Sequence, residues 1–292
     1  MQPIRNNYQQ RLKQIKNSGG FTLLELIIVI VLLGGLSVGI SSFIGIATQS
    51  FVNTAERDEI IASARFSVER LNREVRNALP NSARVLNFPS GETCLEFVPI
   101  MGASIYKNLD VSRSFDQITT VAFVDDEEQP YTCNSSCGDS VVIYPLGYLG
   151  YIDNSDVYVD PEQSAGQLFA IESIDKPAGD FWQINLENTV TLGRASPNDR
   201  LYVVNQPVRY CEDNNTLNRV SNYNLSDQLT SSVYPTNSTA VAMAENVDAN
   251  FAISEATLTR NSVVQMRLTF FRANDTAEEI VFDHEVHIAN TP

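Results

Sequence analysis

Near its N-terminus the chain reads Ser18-Gly-Gly-Phe-Thr-Leu-Leu-Glu-Leu-Ile-Ile-Val-Ile-Val-Leu-Leu-Gly-Gly35. No charged residue occurs from Leu26 to Ala55, so the apolar run that begins here is long enough to cross a bilayer as a helix. A secretory signal peptide is the alternative, but its apolar region spans only about 7–15 residues before a small-x-small cleavage site. We therefore expect one membrane-spanning helix over residues 21–53.

Charge is distributed unevenly along the chain. Residues 1–20 hold four basic residues and no acid, which by the positive-inside rule keeps the N-terminus in the cytoplasm. From Glu56 onward, 16 basic and 34 acidic residues give a formal charge of −18. We predict that residues 54–292 form an exported head, which is periplasmic in a Gram-negative cell. An acidic head repels phosphate backbones, so no nucleic-acid partner is expected.

Glu25 is the one charged residue among positions 21–55. An ionised acid at depth in the membrane costs about 2.5–3.5 kcal/mol on insertion scales, so a partner should offset it. The alternative is that Glu25 lies near enough to the cytoplasmic interface to stay hydrated.

The segment Ser18-Gly-Gly-Phe-Thr-Leu-Leu-Glu-Leu resembles the processing site of type IV pilins and type II secretion pseudopilins. The resemblance implies that residues 1–20 are a leader, which prepilin peptidase removes after Gly20, and that Phe21 becomes the N-methylated terminus. It also implies that Glu25 neutralises the Phe21 ammonium of a neighbouring subunit in the filament core. Two opposite charges buried in hydrocarbon make sense together, because either alone carries the full desolvation cost.

Beyond residue 53 an apolar stripe continues the helix. Its members recur every three or four positions, at Ile61, Ala64, Val68, Leu71, Val75 and Leu79. We predict that this stripe packs on a sheet. The charged residues at 65, 69 and 73 form the solvated face, and Pro80 ends the helix.

After Pro80 the pattern changes to short apolar runs rich in β-branched and aromatic residues, without a second helical repeat between them. We predict an α+β, type IV pilin-like fold, in which the long N-terminal helix packs on an antiparallel β-sheet head. The last two strands should form a hairpin that turns at residues 273–276, and residues 108–116 and 212–238 should be loops. The predicted strands are residues 84–88, 94–100, 118–124, 141–144, 168–171, 182–186, 201–204, 208–211, 263–271 and 280–288.

Four cysteines in an exported head predict two disulfides, with three connectivities open. We favour Cys133 with Cys137, which closes a small loop, and Cys94 with Cys211. The second pair would lower the unfolded-state entropy by about 4–5 kcal/mol in the chain-entropy model. Zinc binding at Cys-x3-Cys is the alternative, but the two histidines lie three apart on a predicted strand and point to opposite faces.

An acidic segment holds the remaining candidate ligands. Asp153, Asp156 and Asp160 gather oxygen ligands as a calcium loop would, but they lack the glycine and spacing of an EF-hand. We expect a plain acidic turn and no cofactor, with calcium as the alternative. The sequence contains no glycine-rich phosphate loop, nucleophile elbow or His-bearing triad, so we do not expect an enzyme.

The size of the head and the segments 64–79 and 244–271 resemble the larger minor subunits of these filaments, namely J-type pseudopilins and W-type minor pilins. The segment Cys94-Leu-Glu-Phe-Val-Pro-Ile and the overall layout are most similar to O-type minor pilins of the mannose-sensitive haemagglutinin (MSHA) pilus. The resemblance implies a minor pilin that helps to initiate or cap pilus assembly in a tip or priming complex. Its implied partners are other minor pilins, the major pilin, prepilin peptidase and the inner-membrane assembly platform.

By the same resemblance the chain spans the inner membrane once, with its head in the periplasm, and then moves to the pilus at or near the tip. Two other functions stay open. One is a J-type pseudopilin of type II secretion, and the other is a tip adhesin that binds a ligand through its polar loops.

Overall fold

The computed structural model describes residues 20–89, 91–125, 127–145, 157–158, 165–177, 179–225, 233–254, 261–272 and 275–289. The chain divides into two compact units, Met1–Glu56 and Arg57–Pro292. The one helix among the described residues, α1, spans Leu23–Arg76. The described strands are β1 Arg84–Asn87, β2 Thr93–Phe97, β3 Ile100–Ile105, β4 Phe115–Val121, β5 Ser140–Val142, β6 Ala165–Gly166, β7 Leu168–Asp175, β8 Phe181–Leu192, β9 Arg200–Val204, β10 Val208–Asp213, β11 Thr216–Ser221, β12 Thr239–Glu245, β13 Val247–Ser254, β14 Ser262–Arg272 and β15 Asp275–Ile288.

In the second unit, which we call the head, α1 buries the predicted apolar stripe as far as Val75. The helix ends at Arg76 and not at Pro80 as predicted, so Leu79 lies beyond it. Ala64, Leu71 and Val75 are fully buried against two antiparallel sheets, one in the order β1-β2-β10-β11-β12 and one in the order β13-β14-β15. Ser67 ties the helix to β12, because its hydroxyl donates a 2.9 Å hydrogen bond to the Met243 carbonyl. A helix on antiparallel sheet confirms the predicted α+β class.

A third sheet is inserted between two strands of the five-stranded sheet. β2 and β10 are hydrogen-bonded neighbours, yet residues 100–204 lie between them in the chain. We call these residues the inserted module. Their described part forms seven strands: six in the order β3-β9-β5-β7-β8-β4, and β6, which pairs with β8. β4 meets β3 again at the Tyr106–Thr120 bridge, so the sheet closes on itself around a second core that includes Phe169 and Ile184.

Residues 94–100 do not form the single strand that we predicted. β2 ends at Phe97, and Ile100 begins β3 in the inserted module. Pro99 lies between the two strands and has no N–H to donate, so it interrupts the ladder. The chain leaves the five-stranded sheet at this proline.

The prediction of one loop over residues 212–238 is also wrong. β10 continues to Asp213, and β11 begins at Thr216. Asn214 and Asn215 join them with φ angles of 50° and 59°. Two consecutive positive φ angles are typical of the type I′ hairpin turn, which asparagine favours. The asparagines that indicated a loop therefore encode a two-residue turn, while residues 226–232 lie outside the described residues.

The C-terminal hairpin is confirmed, since β14 and β15 pair antiparallel from Ser262–Ile288 onward. The first residues of its predicted turn, 273 and 274, lie outside the described residues. β12 and β13 were not predicted, because β12 reads Thr-Ala-Val-Ala-Met-Ala-Glu and alanine is depleted in strands. Residues 108–114 contain no strand, as predicted, and β4 begins at Phe115.

Candidate functional site

The predicted cleavage junction lies directly ahead of α1. Gly20 and Phe21 are both exposed, Phe21 to 81%, and the helix begins two residues later. Thr22 caps it, because its hydroxyl oxygen accepts a hydrogen bond from the backbone N–H of Glu25 at 3.2 Å. Thr-Leu-Leu-Glu matches the capping-box pattern of helix starts, and an acid in the first turn complements the helix dipole. Residues 1–19 lie outside the described residues.

From this cap onward the helix exposes apolar side chains on all sides. It is long and apolar enough to cross a membrane, and none of its most apolar 18-residue window is buried. Leu23, Ile30 and Phe43 are each more than half exposed. Water-exposed apolar surface on this scale is rare in soluble proteins, so the segment requires lipid or other helices around it. A signal sequence passes the same test of length and composition, which makes the residues around Gly20 the distinguishing feature.

Two disulfides join the four cysteines of the head. Cys94 is bonded to Cys211, and Cys133 to Cys137, which is the pairing that we favoured from the sequence. With both sulfurs of Cys-x3-Cys in a disulfide, neither serves as a thiolate ligand for zinc. Cys94 and Cys211 lie directly opposite each other on β2 and β10. This crosslink therefore fastens the two strands from which the inserted module departs.

Two positions along the same strands, a buried carboxylate lies between two buried arginines. Glu96 on β2 is opposite Arg209 on β10, and Arg209 donates a 2.8 Å hydrogen bond to Glu96 Oε1. Arg84 donates to Glu96 Oε2, and the Tyr223 hydroxyl donates to Oε1 at 2.9 Å. Burial raises the pKa of Tyr223, so its hydroxyl stays protonated as a donor. This network was not predicted, although an acid within the apolar segment Cys94-Leu-Glu-Phe-Val indicates a buried charge.

A second charged cluster joins α1 to the five-stranded sheet. Glu74 accepts hydrogen bonds from Arg219 at 2.9 Å, from Arg70 at 3.0 Å and from the Tyr210 hydroxyl at 2.9 Å. Burial alone would raise the pKa of Glu74, but the hydrogen bonds from Arg219 and Arg70 outweigh it and hold that pKa below its ordinary value. In both clusters the charged groups bond within the fold, which is a structural role.

The residues predicted as possible metal ligands do not form a site among the described residues. Asp153, Asp156 and Asp160 lie outside the described residues. His284 is half-buried and His287 exposed on β15, so the two alternate between its faces as predicted. Within the described part of the chain, no group of three or more His, Cys, Asp or Glu side chains could hold a metal ion.

Comparison with known proteins gives one match. Residues 15–40 match the family model described as the prokaryotic N-terminal methylation motif. No similar curated protein or solved structure was found for the chain.

The matched residues contain the Gly20–Phe21 junction, the Thr22 cap, Glu25 and the first part of the exposed apolar helix. An N-terminal methylation motif that leads into a helix able to cross a membrane supports the placement of this chain in the type IV pilin and pseudopilin family.

Proposed function

We propose that the chain is a minor pilin that helps to initiate or cap assembly of an MSHA-type type IV pilus, as a member of a tip or priming complex. The observation that carries this proposal is the methylation motif at residues 15–40, whose junction lies immediately before a capped helix. The apolar part of that helix, to residue 55, contains one acid, Glu25. Prepilin peptidase cuts between Gly20 and Phe21 on the cytoplasmic side, and the new terminus is methylated. The inner-membrane assembly platform then moves the subunit into the filament.

Cleavage creates a charge that the helix start cannot accommodate alone. The Phe21 ammonium stands at the positive end of the α1 dipole, where a cation is unfavourable, and hydrocarbon adds a desolvation cost. Thr22 lies on the mature side of the cut, so the cap that holds the first turn survives processing. Glu25, one turn along, supplies the opposite charge. In an assembled filament it neutralises the Phe21 ammonium of a neighbouring subunit at similar membrane depth.

Two properties of the head favour a minor subunit over the major subunit that repeats along the filament. A major subunit packs against copies of itself along the whole filament, and a head with 16 basic and 33 acidic residues, a formal charge of −17, opposes such self-packing. The inserted module also enlarges the head by residues 100–204 beyond the helix and the sheets that contact it. The structural roles of Glu96 and Glu74 are consistent with a function in assembly and without catalysis. Nucleic acid is not an expected partner.

The test of this proposal is Glu25→Val in the full-length chain. The variant should be cut, inserted and folded normally, because Glu25 lies outside the compact head. Pilus number and cross-linking to other pilins should fall, since the neighbouring ammonium loses its counter-charge. Glu25→Asp is the matched control, because it keeps the charge at the same position and should retain most of the assembly.

Wild-type pilus number and cross-links in Glu25→Val would contradict the intersubunit role and leave Glu25 as a hydrated interfacial acid. Deletion of the gene distinguishes the two filament systems. Loss of surface pili supports the minor pilin, whereas loss of protein secretion with normal pili would identify a type II secretion pseudopilin instead.

A further inference from the structure

A groove of about 360 Å³, which we call the arginine groove, lies at the C-terminal end of α1. It is lined by Glu69, Asn72, Arg73, Arg76 and Asn77. The four helical members are spaced so that they share one side of the last two turns, because residues three or four apart on a helix are neighbours. Pockets for small ligands enclose about 300–1,000 Å³, so this groove is large enough for a small molecule.

The two arginines of the groove have no partner in the described part of the chain. Arg73 and Arg76 are exposed, and neither makes a hydrogen bond or an ion pair there, whereas the nearby Arg70 is bonded to Glu74 at 3.0 Å. Acidic residues outnumber basic ones by 33 to 16 in the head, so two arginines without an acidic partner are unexpected. The dipole of α1 favours cations in its last turn, but it does not require two guanidinium groups in one groove.

Asn72 adds an unsatisfied acceptor to the same groove. Its Oδ1 is buried and accepts no hydrogen bond from any described residue. A buried acceptor without a donor is unfavourable, and a bound group is one explanation for such an atom in a native protein. The Glu69 carboxylate is exposed in the groove and, while ionised, only accepts hydrogen bonds. The groove therefore combines two acceptors with two cationic donors.

These two pairs of groups select different parts of one ligand. Guanidinium groups bind phosphate through charge-assisted hydrogen bonds, and two of them balance the charge of a phosphate monoester, about −1.5 to −2 at neutral pH. A bare phosphate would be repelled by the Glu69 carboxylate. A sugar phosphate fits both pairs, because its hydroxyl groups can donate to Glu69 and Asn72 while its phosphate accepts from the arginines.

The end of the groove is fixed in place by the fold. The side-chain amide of Asn77 donates to the Ile100 carbonyl at 2.8 Å, and the Ile100 backbone N–H donates to the Asn77 carbonyl at 2.9 Å. Ile100 is the first residue of β3, so these bonds fasten the end of α1 to the start of the inserted module. A site on fixed elements loses little conformational freedom on binding, so more of its contact energy appears as affinity.

We propose that the arginine groove binds a phosphorylated sugar, whose phosphate lies on Arg73 and Arg76. The hydroxyl groups of the sugar donate to Glu69 and Asn72. The site uses none of the residues on which the proposed assembly function depends, so it adds a ligand to the chain independently of that function.

Isothermal titration calorimetry of the full-length chain, in an uncharged detergent without a sugar headgroup, tests the proposal. Glucose 6-phosphate is the probe, and its two halves, glucose and inorganic phosphate, are the ligand controls. We expect glucose 6-phosphate to bind at least about tenfold more tightly than either half. The methyl glycoside of glucose 6-phosphate distinguishes the two sources of such a group. Equal binding of the glycoside indicates a unit linked within a glycan, and weaker binding indicates a free sugar phosphate.

Substitutions in the groove locate the binding site. Arg73→Gln combined with Arg76→Gln should weaken binding of glucose 6-phosphate at least about tenfold, because the phosphate loses both charged donors. The matched control is Arg65→Gln, since Arg65 is also exposed on α1 but does not line the groove, and binding should not change. Glu69→Gln should strengthen binding of inorganic phosphate, because the repelling charge is removed.

The proposal is overturned by no measurable binding of glucose 6-phosphate, by equally tight binding of inorganic phosphate, or by binding that the double arginine variant leaves unchanged. Protection of the cysteines from alkylation checks that each variant is folded, and Arg76→Gln alone replaces the double variant if that chain does not fold. Pilus number in Glu25→Val is a separate measurement, so the binding site and the assembly function can each fail without the other.

Discussion

Residues 20–56 and the head contain the same types of residue but place them in opposite environments. Along the first segment, large apolar side chains such as Leu36 and Phe43 are exposed, and Glu25 is the only charge between positions 21 and 55. In the head, core side chains such as Leu71 and Phe97 are buried, and the buried Glu96 and Arg209 neutralise each other there. The difference indicates that the first segment obtains its stability from its surroundings and the head from its own contacts.

This contrast predicts that substitutions in the head change its free energy of unfolding without changing processing or membrane insertion. Substitution of Gly20 should do the reverse, and substitution of Glu25 should lower assembly while leaving processing, insertion and the free energy of unfolding unchanged. A variant that changed both sets of properties would break the comparison.

The largest effect on the head is expected from its long disulfide. Replacing Cys94 and Cys211 together by Ala should lower the free energy of unfolding by about 4–5 kcal/mol, because the bond closes a loop of more than a hundred residues. The matched control replaces Cys133 and Cys137 together by Ser. Their disulfide joins residues only 4 apart, so its loss should lower the free energy of unfolding by only about 2 kcal/mol. Urea unfolding of the head measures both.

Thiol alkylation provides the independent control. The native head should have no free thiols, and four should appear after reduction and unfolding. Two or more freely alkylated thiols in the native head, or equal destabilisation by the two double variants, would contradict this assignment.

Glu96→Gln should give the next largest effect. It leaves Arg84 and Arg209 buried without the carboxylate between them, and breaking a buried ion pair in this way costs about 3–5 kcal/mol. Asp283→Asn is the control, because its bond to Arg267 lies on the surface and the unfolding midpoint should barely move. Equal midpoints for the two variants in urea would show that Glu96 does not hold β1, β2 and β10 together.

Glu74→Gln should give the smallest effect and a pH signature. Its partly screened bonds to Arg219 and Arg70 should contribute about 1–2 kcal/mol at neutral pH. Because the folded-state pKa of Glu74 lies below its ordinary value of 4.5, this contribution is fully present above that pH and is lost as the pH falls through the folded value. Unfolding of wild type and variant between neutral pH and pH 3 should therefore converge on the acid side. A constant difference across that range would be inconsistent with the proposed role.

The sequence was sufficient where a pattern is local. Three features were predictable because residues close together in the sequence indicate each of them. They are the apolar run, the stripe that includes Ala64 and Leu71, and the C-terminal hairpin. Glu96 and Arg209 are far apart in the chain, and nothing local indicates that β2 and β10 are neighbours. The inserted module was hidden for the same reason, since its strands look like any other short apolar run.

Turn chemistry was the other source of error. Asn214-Asn215 was interpreted by composition as a loop, although two adjacent residues that tolerate positive φ are as typical of a tight hairpin.

The methylation motif could be recognised without the structure, because its residues are contiguous in the sequence. The alignment of Ile105, Val121 and Phe181 could not be predicted, because these residues meet only once β3, β4 and β8 are paired.

The central claim is that the chain is processed at Gly20–Phe21 and then remains in the membrane through α1. Mass spectrometry of the intact chain, isolated from cells that contain prepilin peptidase, measures this directly. The wild-type chain should begin at Phe21 with one added methyl group, and Gly20→Val should remain twenty residues longer. A wild-type chain that retains its leader, a Gly20→Val chain that is cut normally, or a soluble head cut after the apolar run as a signal peptide would be, would each contradict the account.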